Sequence, residues 1–136
     1  MRRMEKILYC DEDPDFIEAL TGSLRAFGFE LEAIPDPKKV PARLMAGGCT
    51  AVVCGMLQRS QDPIHFCRDL RAHPDPRVHA AAILLAGPDE LDEAGYRELV
   101  RLRVSFLNQY SPAGKWAERL RRLETGSRGA GPGGPS

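Results

Sequence analysis

Short apolar segments alternate along this chain with segments whose apolar residues recur at helical spacing. The runs TAVVC at 50–54 and AAAILLA at 80–86 are apolar throughout, which is typical of central strands covered on both faces. Three further strands are predicted at 5–10, 30–34 and 104–107. Because parallel strands are joined by right-handed helical crossovers, the alternation predicts an α/β fold, a three-layer αβα sandwich around a five-stranded parallel sheet.

Helical patterns follow all five predicted strands. In the first helix, Asp13 can cap the amino terminus, Pro14 suits the first helical position, and Gly28 can terminate the helix. The other helices are predicted at 37–46, 62–72, 89–101 and 111–123. After them, residues 126–136 hold five glycines and two prolines and no large apolar side chain. We therefore predict a folded domain at 1–125 and a flexible tail at 126–136.

Composition excludes several classes of protein. The 19 basic residues balance 19 acidic ones, so the domain is not built as a uniform polyanion binder. No apolar run reaches the roughly 20 residues of a transmembrane helix, and a cytoplasmic protein without membrane insertion is expected. The four cysteines form no C-x-x-C pair, so we expect no metal centre, disulfide framework or other cofactor. Cys10 and Cys54 end neighbouring strands, where a redox pair is the alternative to buried neutral thiols.

In open parallel sheets a ligand crevice lies beyond the carboxyl ends of the strands. The residues expected there are 11–13, 55–58, 86–87 and 108–109.

Four segments at and around these positions resemble the receiver domain of bacterial two-component response regulators. They are ILYCDEDPDF at 7–16, DPIHFCRDLR at 62–71, ILLA at 83–86 and FLNQYSP at 106–112. The resemblance spans about residues 5–124 and implies a flavodoxin-like sheet with strand order 2-1-3-4-5. It also implies a chemistry: a phosphoryl group is transferred to an aspartate that ends the third strand. An acidic pair holds Mg²⁺ beside it, and a Thr or Ser and a Lys contact the phosphoryl oxygens.

This chain departs from the receiver pattern at three of those positions. Gly55 stands at the phosphoacceptor position and Ala86 at the hydroxyl position, and Asn108 or Gln109 stands at the lysine position. Only the acidic pair remains, as Asp11 and Glu12. Without the third carboxylate we expect no metal site, the alternative being weak cation binding by Asp11 and Glu12. Asp11–Asp13 can instead complement the amino terminus of the first helix.

We therefore predict a pseudo-receiver: a non-enzymatic signalling module that acts through protein–protein interaction without phosphorylation. Two alternatives remain open. One is a small-ligand-binding or redox-responsive regulatory domain that uses the crevice vacated at Gly55 and Ala86. The other is a phosphotransfer receiver with an unusual acceptor.

The expected partner is a protein: a kinase, another regulator or a scaffold, with a homodimer left open. Residues 1–36 carry nine acidic and four basic side chains, whereas residues 97–128 carry eight basic and three acidic ones. Ion pairs between side chains of the first and last helices can account for much of this charge asymmetry. No recognition motif accompanies the basic patch, so nucleic-acid binding is not expected. Candidate interface residues are Trp116, Arg119, Arg121, Arg122 and Tyr96.

Overall fold

The computed structural model describes residues 4–11, 13–55, 62–88 and 90–129, with side chains as far as Leu123. Five parallel strands form one sheet in the order β2-β1-β3-β4-β5. Their bounds are β1 Glu5–Cys10, β2 Phe29–Ala33, β3 Ala51–Gly55, β4 Ala82–Gly87 and β5 Val104–Asn108. The predicted fold class and strand order are confirmed.

Six α-helices lie in the described part of the chain, one more than predicted. They are α1 Pro14–Arg25, α2 Val40–Met45, α3 Pro63–Ala72, α4 Pro76–His79, α5 Glu93–Leu102 and α6 Ala113–Gly129, and a 3₁₀ helix at Pro37–Lys39 precedes α2. The additional helix α4 is a single turn, and the carboxylate of Asp75 caps it by accepting from the Arg77 N–H at 2.8 Å.

Two helix boundaries differ from the prediction by four residues or more. Helix α5 begins at Glu93 rather than at 89, because Asp92 is its N-cap and accepts a hydrogen bond from the Gly95 N–H at 2.7 Å. Helix α6 continues to Gly129, past the position 126 at which the tail was expected to begin. Residues 130–136 of that predicted tail lie outside the described residues.

The start and end of α1 follow the predicted signals. Asp13 accepts a hydrogen bond from the Phe16 N–H at 3.1 Å, and Pro14 is the first helical residue. Gly28 has a φ of 91°, a left-handed conformation that glycine adopts without strain, and the chain turns there into β2. These local signals place the residues after β1 beside the carboxyl edge of the sheet.

Each face of the sheet is covered by a separate apolar cluster. Tyr9, Leu24, Leu84 and Trp116 belong to the cluster that α1 and α6 cover. Leu8, Cys54, Leu70, Leu85 and Leu99 belong to the cluster on the other face, which α2, α3 and α5 cover. Of the helices that the structure describes, none has the length and apolar character needed to cross a membrane.

Arg71, on α3, joins several elements at the amino edge of the sheet. Its guanidinium donates to the carbonyl oxygens of Leu102 at 2.7 Å, His79 at 2.9 Å, Ala81 at 2.6 Å and Arg103 at 3.0 Å. Burial lowers the pKa of Arg71, and the nearby Arg103 lowers it further. The side chain thereby satisfies carbonyls at the ends of α4 and α5 that would otherwise be left without donors.

We predict that Arg71→Met lowers the free energy of unfolding by about 3 kcal/mol, because several carbonyls lose a charged donor at once. Urea denaturation measures this loss. The control is Arg101→Met, since Arg101 is exposed and its ion pair with Glu98 at 3.6 Å is a surface pair worth little. Equal losses in the two variants would show that Arg71 does not join these elements.

Candidate functional site

The carboxyl edge of the sheet brings together residues that lie far apart in the sequence. Cys10 pairs with Cys54 across β1 and β3, which places Asp11 next to Gly55. Gly55 in turn pairs with Ala86 on β4, and Gly87 pairs with Asn108 at the end of β5. Asp11, Gly55, Ala86 and Asn108 therefore lie along one edge, whereas Glu12 lies outside the described residues.

The side chain of Asp11 occupies the space in which a side chain at position 55 would begin. A Cβ atom added to Gly55 would overlap the Asp11 carboxylate, lying 2.5 Å from its Cγ and 2.9 Å from its Cβ. Asp11 is only 2% exposed, so its side chain is enclosed in this position. The φ of Gly55 is not left-handed, and glycine is therefore needed here for space rather than for backbone conformation.

The neighbouring strand ends carry neither a hydroxyl nor a cation. Ala86 is fully buried and packs in the apolar cluster with Leu107 and Trp116. The Asn108 side chain donates to the Pro88 carbonyl at 3.3 Å and accepts from the Tyr110 N–H at 2.9 Å. Asn108 is thus committed to the turn that follows β5, and it cannot supply the charge of a lysine.

Gln109, the other candidate for the lysine position, follows β5 and is 3% exposed. Its backbone N–H donates to Gly87 at 2.8 Å and its carbonyl accepts from the Trp116 indole at 3.3 Å. Its side-chain Oε1 has no hydrogen-bond partner among the residues the structure describes. Neither Asn108 nor Gln109 therefore provides a cation at this edge.

Across the described ranges, no group of three or more His, Cys, Asp or Glu side chains is arranged to hold a metal ion. Asp13, the third residue of the acidic segment, caps α1. Asp11 and Glu12 are the pair considered above for weak cation binding. Glu12 lies outside the described residues.

Tyr9 is a polar residue of this region that the sequence analysis did not select. Its ring is fully buried between Phe16 and Trp116, at centroid distances of 6.2 and 6.0 Å. Its hydroxyl has no hydrogen-bond partner within the described part of the chain. Burial raises the pKa of Tyr9, and the nearby carboxylate of Asp11 raises it further. The available signal was a tyrosine within the otherwise apolar strand ILYC.

Trp116 was wrongly predicted as an interface residue. It is 0% exposed and packs against Tyr9 in the core, because helical spacing places it on the same inward side of α6 as Leu120 and Leu123. A surface partner cannot reach it while the domain is folded.

The other four candidate interface residues each make local contacts within the domain. Arg119 donates to the carbonyl of Phe106, whereas Arg121 donates to Phe27 at 3.4 Å and lies 5.7 Å from the ring centroid of Phe29. Arg122 pairs with Glu118 at 4.0 Å within α6. Tyr96, on α5, stacks edge-on against Phe106 at 5.7 Å and donates to Glu90 at 3.2 Å.

The ion pairs also differ from the expected pairing of the first and last helices. Among the described side chains, the ion pairs between elements join β1 to β2, α2 to β2 and α3 to α5, and the others lie within one segment. None of them joins α1 to α6. The positive charges of Arg121 and Arg122 are therefore not neutralised by acidic side chains of α1.

Comparison with solved structures identifies similar folds. A sensor protein from a Polaromonas species superposes with a TM-score of 0.76 and 22% identity, over 90% of this chain and 98% of that one. The chemotaxis protein CheY4 of Vibrio cholerae gives a TM-score of 0.74 and 16% identity over 88% and 98%. The signal receiver domain of a signal transduction histidine kinase from Syntrophus aciditrophicus gives a TM-score of 0.72 and 19% identity, over 90% of this chain and 91% of that one.

No family model matches the sequence, and no curated protein matches it. At these identities the structural likeness establishes the fold of CheY-like receiver domains for nearly the whole chain. The chemistry of the carboxyl edge has to be argued from the residues that this chain places there.

We predict that Gly55→Ala destabilises the protein by about 1–3 kcal/mol in urea denaturation, because the added methyl group overlaps Asp11. Asp11→Ala removes the overlapping carboxylate, so the double variant should lose less stability than the two single losses together. The control is Gly22→Ala in α1, where no atom lies within 4 Å and a gain of about 0.5–1 kcal/mol is expected. If the stability losses of Asp11→Ala and Gly55→Ala simply add in the double variant, the predicted overlap of the two side chains is wrong.

We predict that Tyr9→Phe raises the free energy of unfolding by about 1 kcal/mol, because it removes a buried hydroxyl that lacks a protein partner. The raised folded-state pKa of Tyr9 also means that the free energy of unfolding falls as pH rises above the unfolded value of about 10, because the unfolded chain ionises there while the buried hydroxyl does not. The variant should therefore lose less stability than the wild type in alkaline urea titrations. The control is Tyr110→Phe, at a site that is 69% exposed. A loss of stability in Tyr9→Phe would contradict the prediction and indicate that bound water forms a hydrogen bond with the Tyr9 hydroxyl.

Proposed function

We propose that this chain is a phosphorylation-independent, receiver-like signalling module that acts by binding another protein. The observation that carries the proposal is the Asp11 carboxylate lying over Gly55, in the space where a phosphoacceptor side chain would begin. The receiver-domain fold supports a role in signal transduction, since the solved neighbours include a chemotaxis protein and a receiver domain of a histidine kinase.

Each step of aspartyl phosphorylation lacks a group at this edge. Gly55 offers no nucleophile, Ala86 offers no hydroxyl to hold the new phosphoryl oxygens, and Asn108 offers no positive charge. Asp11 is a carboxylate, but at 2% exposure it is closed to a phosphodonor, and Asp13 is used as the cap of α1. We infer from this set of residues that the domain is not an enzyme and does not catalyse its own phosphorylation.

The position of Asp11 also weakens the alternative of a small ligand bound in a vacated crevice. The space above Gly55 that such a ligand would use is filled by the Asp11 side chain. No contact between the described residues of this edge favours that alternative, so protein binding is the function that we retain.

The outer surface of α6 is the binding face that we propose. Arg121 and Arg122 are exposed there, and the ion pair of Arg122 with Glu118 is a surface pair at 4.0 Å. Because α1 does not neutralise these guanidinium groups, they are available to acidic side chains of a partner such as a kinase, a regulator or a scaffold. Buried Trp116 has no part in this face.

We predict that acetyl phosphate with Mg²⁺ leaves the mass of the intact protein unchanged, without the gain of about 80 Da that one phosphoryl group gives. The same result is expected for Gly55→Asp alone, because Ala86 and Asn108 still lack the hydroxyl and the cation. An acyl phosphate mapped to Asp11, Asp13 or Asp62 of the wild type would show an unusual acceptor and overturn the proposal.

We predict that Arg121→Glu/Arg122→Glu reduces capture of an endogenous partner from native lysate, with each captured protein identified by mass spectrometry. The matched control is Lys38→Glu/Lys39→Glu, which makes the same charge change at exposed positions near β2. Binding should be equal with and without beryllofluoride. An affinity change of about tenfold on adding beryllofluoride, or equal loss in both variants, would refute phosphorylation-independent binding through α6.

A further inference from the structure

Phe27 is a large apolar side chain at the surface, in the turn that joins α1 to β2, and it is 38% exposed. Backbone hydrogen bonds fix the turn, since the Phe27 N–H donates to Leu24 at 2.9 Å and the Gly28 N–H donates to Arg25 at 3.1 Å. A single exposed aromatic ring is common in soluble proteins. The surroundings of the Phe27 ring therefore decide whether it belongs to a binding site.

Helix α6 leaves open space beside the Phe27 ring. A Cβ atom added to Gly114, in the first turn of α6, would lie 4.0 Å from the Phe27 Cζ, which is an ordinary contact distance. Gly114 is exposed and its φ is not left-handed, so neither space nor backbone conformation requires a glycine there. The missing side chain at position 114 leaves this side of the Phe27 ring uncovered.

Arginine side chains border the same ring. The Arg121 guanidinium donates to the Phe27 carbonyl at 3.4 Å and lies 5.7 Å from the centroid of the Phe29 ring, so two contacts hold it beside Phe27. Arg122 follows Arg121 on α6 and Arg25 is the last residue of α1, and both are exposed. An exposed ring, an uncovered helix position and three arginines make up the Phe27 patch: Phe27, Gly114, Arg25, Arg121 and Arg122.

The Phe27 patch carries an excess of positive charge. Arg122 pairs with Glu118 at 4.0 Å, and such a surface pair contributes little. Arg25 and Arg121 form no ion pair with a side chain that the structure describes. A molecule that covers this surface is therefore favoured if it brings carboxylates to the guanidinium groups and an apolar group to the ring.

We propose that the Phe27 patch binds an acidic segment of a partner protein. Carboxylates of the segment pair with the three arginines, and one apolar side chain packs against Phe27 in the space beside Gly114. This inference rests on the proposed function and specifies the chemistry of the partner. Aromatic and arginine side chains are enriched at protein interfaces and among the residues on which binding most depends. The phosphates of a nucleic acid could meet the arginines, but they would leave the Phe27 ring without an apolar contact.

The first experiment places p-benzoylphenylalanine at one position of the full-length chain and irradiates each variant in native lysate. Position 27 lies in the patch, Lys115 is an exposed position of α6 outside it, and Val100, on α5 and 75% exposed, is the control position. Mass spectrometry identifies the cross-linked peptides. The expected product at position 27 is a partner peptide with net negative charge that is attached at or next to an apolar residue, and position 100 should not give this product.

The second experiment measures the affinity of the partner thus identified by isothermal titration calorimetry. Gly114→Leu fills the space beside Phe27 without removing a charged group, and it should weaken binding about tenfold. Because leucine favours a helix more than glycine does, this variant should not lower the free energy of unfolding. The matched control is Gly22→Leu on α1, where no atom lies within 4 Å of an added Cβ, and it should bind like the wild type.

The outcomes separate this inference from the proposed function. A partner protein that cross-links at position 115 and not at position 27 would overturn the Phe27 patch and leave protein binding through α6 standing. A cross-linked peptide without net negative charge, a second copy of this chain, a nucleic acid as the sole product, or equal affinities of Gly114→Leu and Gly22→Leu would also overturn the inference. No cross-linked protein at position 27 or 115 would contradict the proposed function as well.

Discussion

The contact between Asp11 and Gly55 determines what the carboxyl edge of this sheet can do. Parallel pairing of β1 and β3 brings the residue after Cys10 beside the last residue of β3, and only a glycine leaves room for the Asp11 side chain there. The overlap that a Cβ would create is with a carboxylate that is enclosed, at 2% exposure. A side chain at position 55 and the observed position of Asp11 therefore exclude each other.

The remainder of the edge is consistent with that exclusion. Ala86 packs in the apolar core, and the Asn108 side chain forms its hydrogen bonds within the turn after β5. Neither side chain is thus placed to bind a phosphoryl group at Gly55. In a phosphorylation-driven switch, contacts to the phosphoryl group stabilise one of two conformations. Among the residues of this edge that the structure describes, Gly55, Ala86 and Asn108 supply no such contacts. On our proposal the domain therefore holds one conformation and presents one constant surface.

The fold could be predicted from the sequence because its determinants are local. TAVVC and AAAILLA identified the central strands, Asp13 and Pro14 set the start of α1, and Gly28 turns the chain into β2. Helix α4 was missed because one helical turn has no periodicity to detect, although Asp75 caps it. The start of α5 was predicted at 89, whereas the helix begins at Glu93 after its N-cap Asp92.

The site was predicted less completely, for a different physical reason. The substitutions at Gly55 and Ala86 are visible in the sequence, but the position of the Asp11 side chain over Gly55 depends on a pairing between strands. The burial of Trp116 follows from the helical spacing of α6 and could have been inferred.

The measurement that tests the central claim most directly is an amide NMR titration of the wild-type protein with beryllofluoride and Mg²⁺. Because the Asp11 carboxylate fills the acceptor space at Gly55, the account predicts that the resonances of Gly55, Ala86 and Asn108 remain unchanged throughout. Saturable shifts centred on those three residues and spreading to α5 would contradict it, since they would show a phosphoryl mimic bound at this edge and coupled to a second conformation.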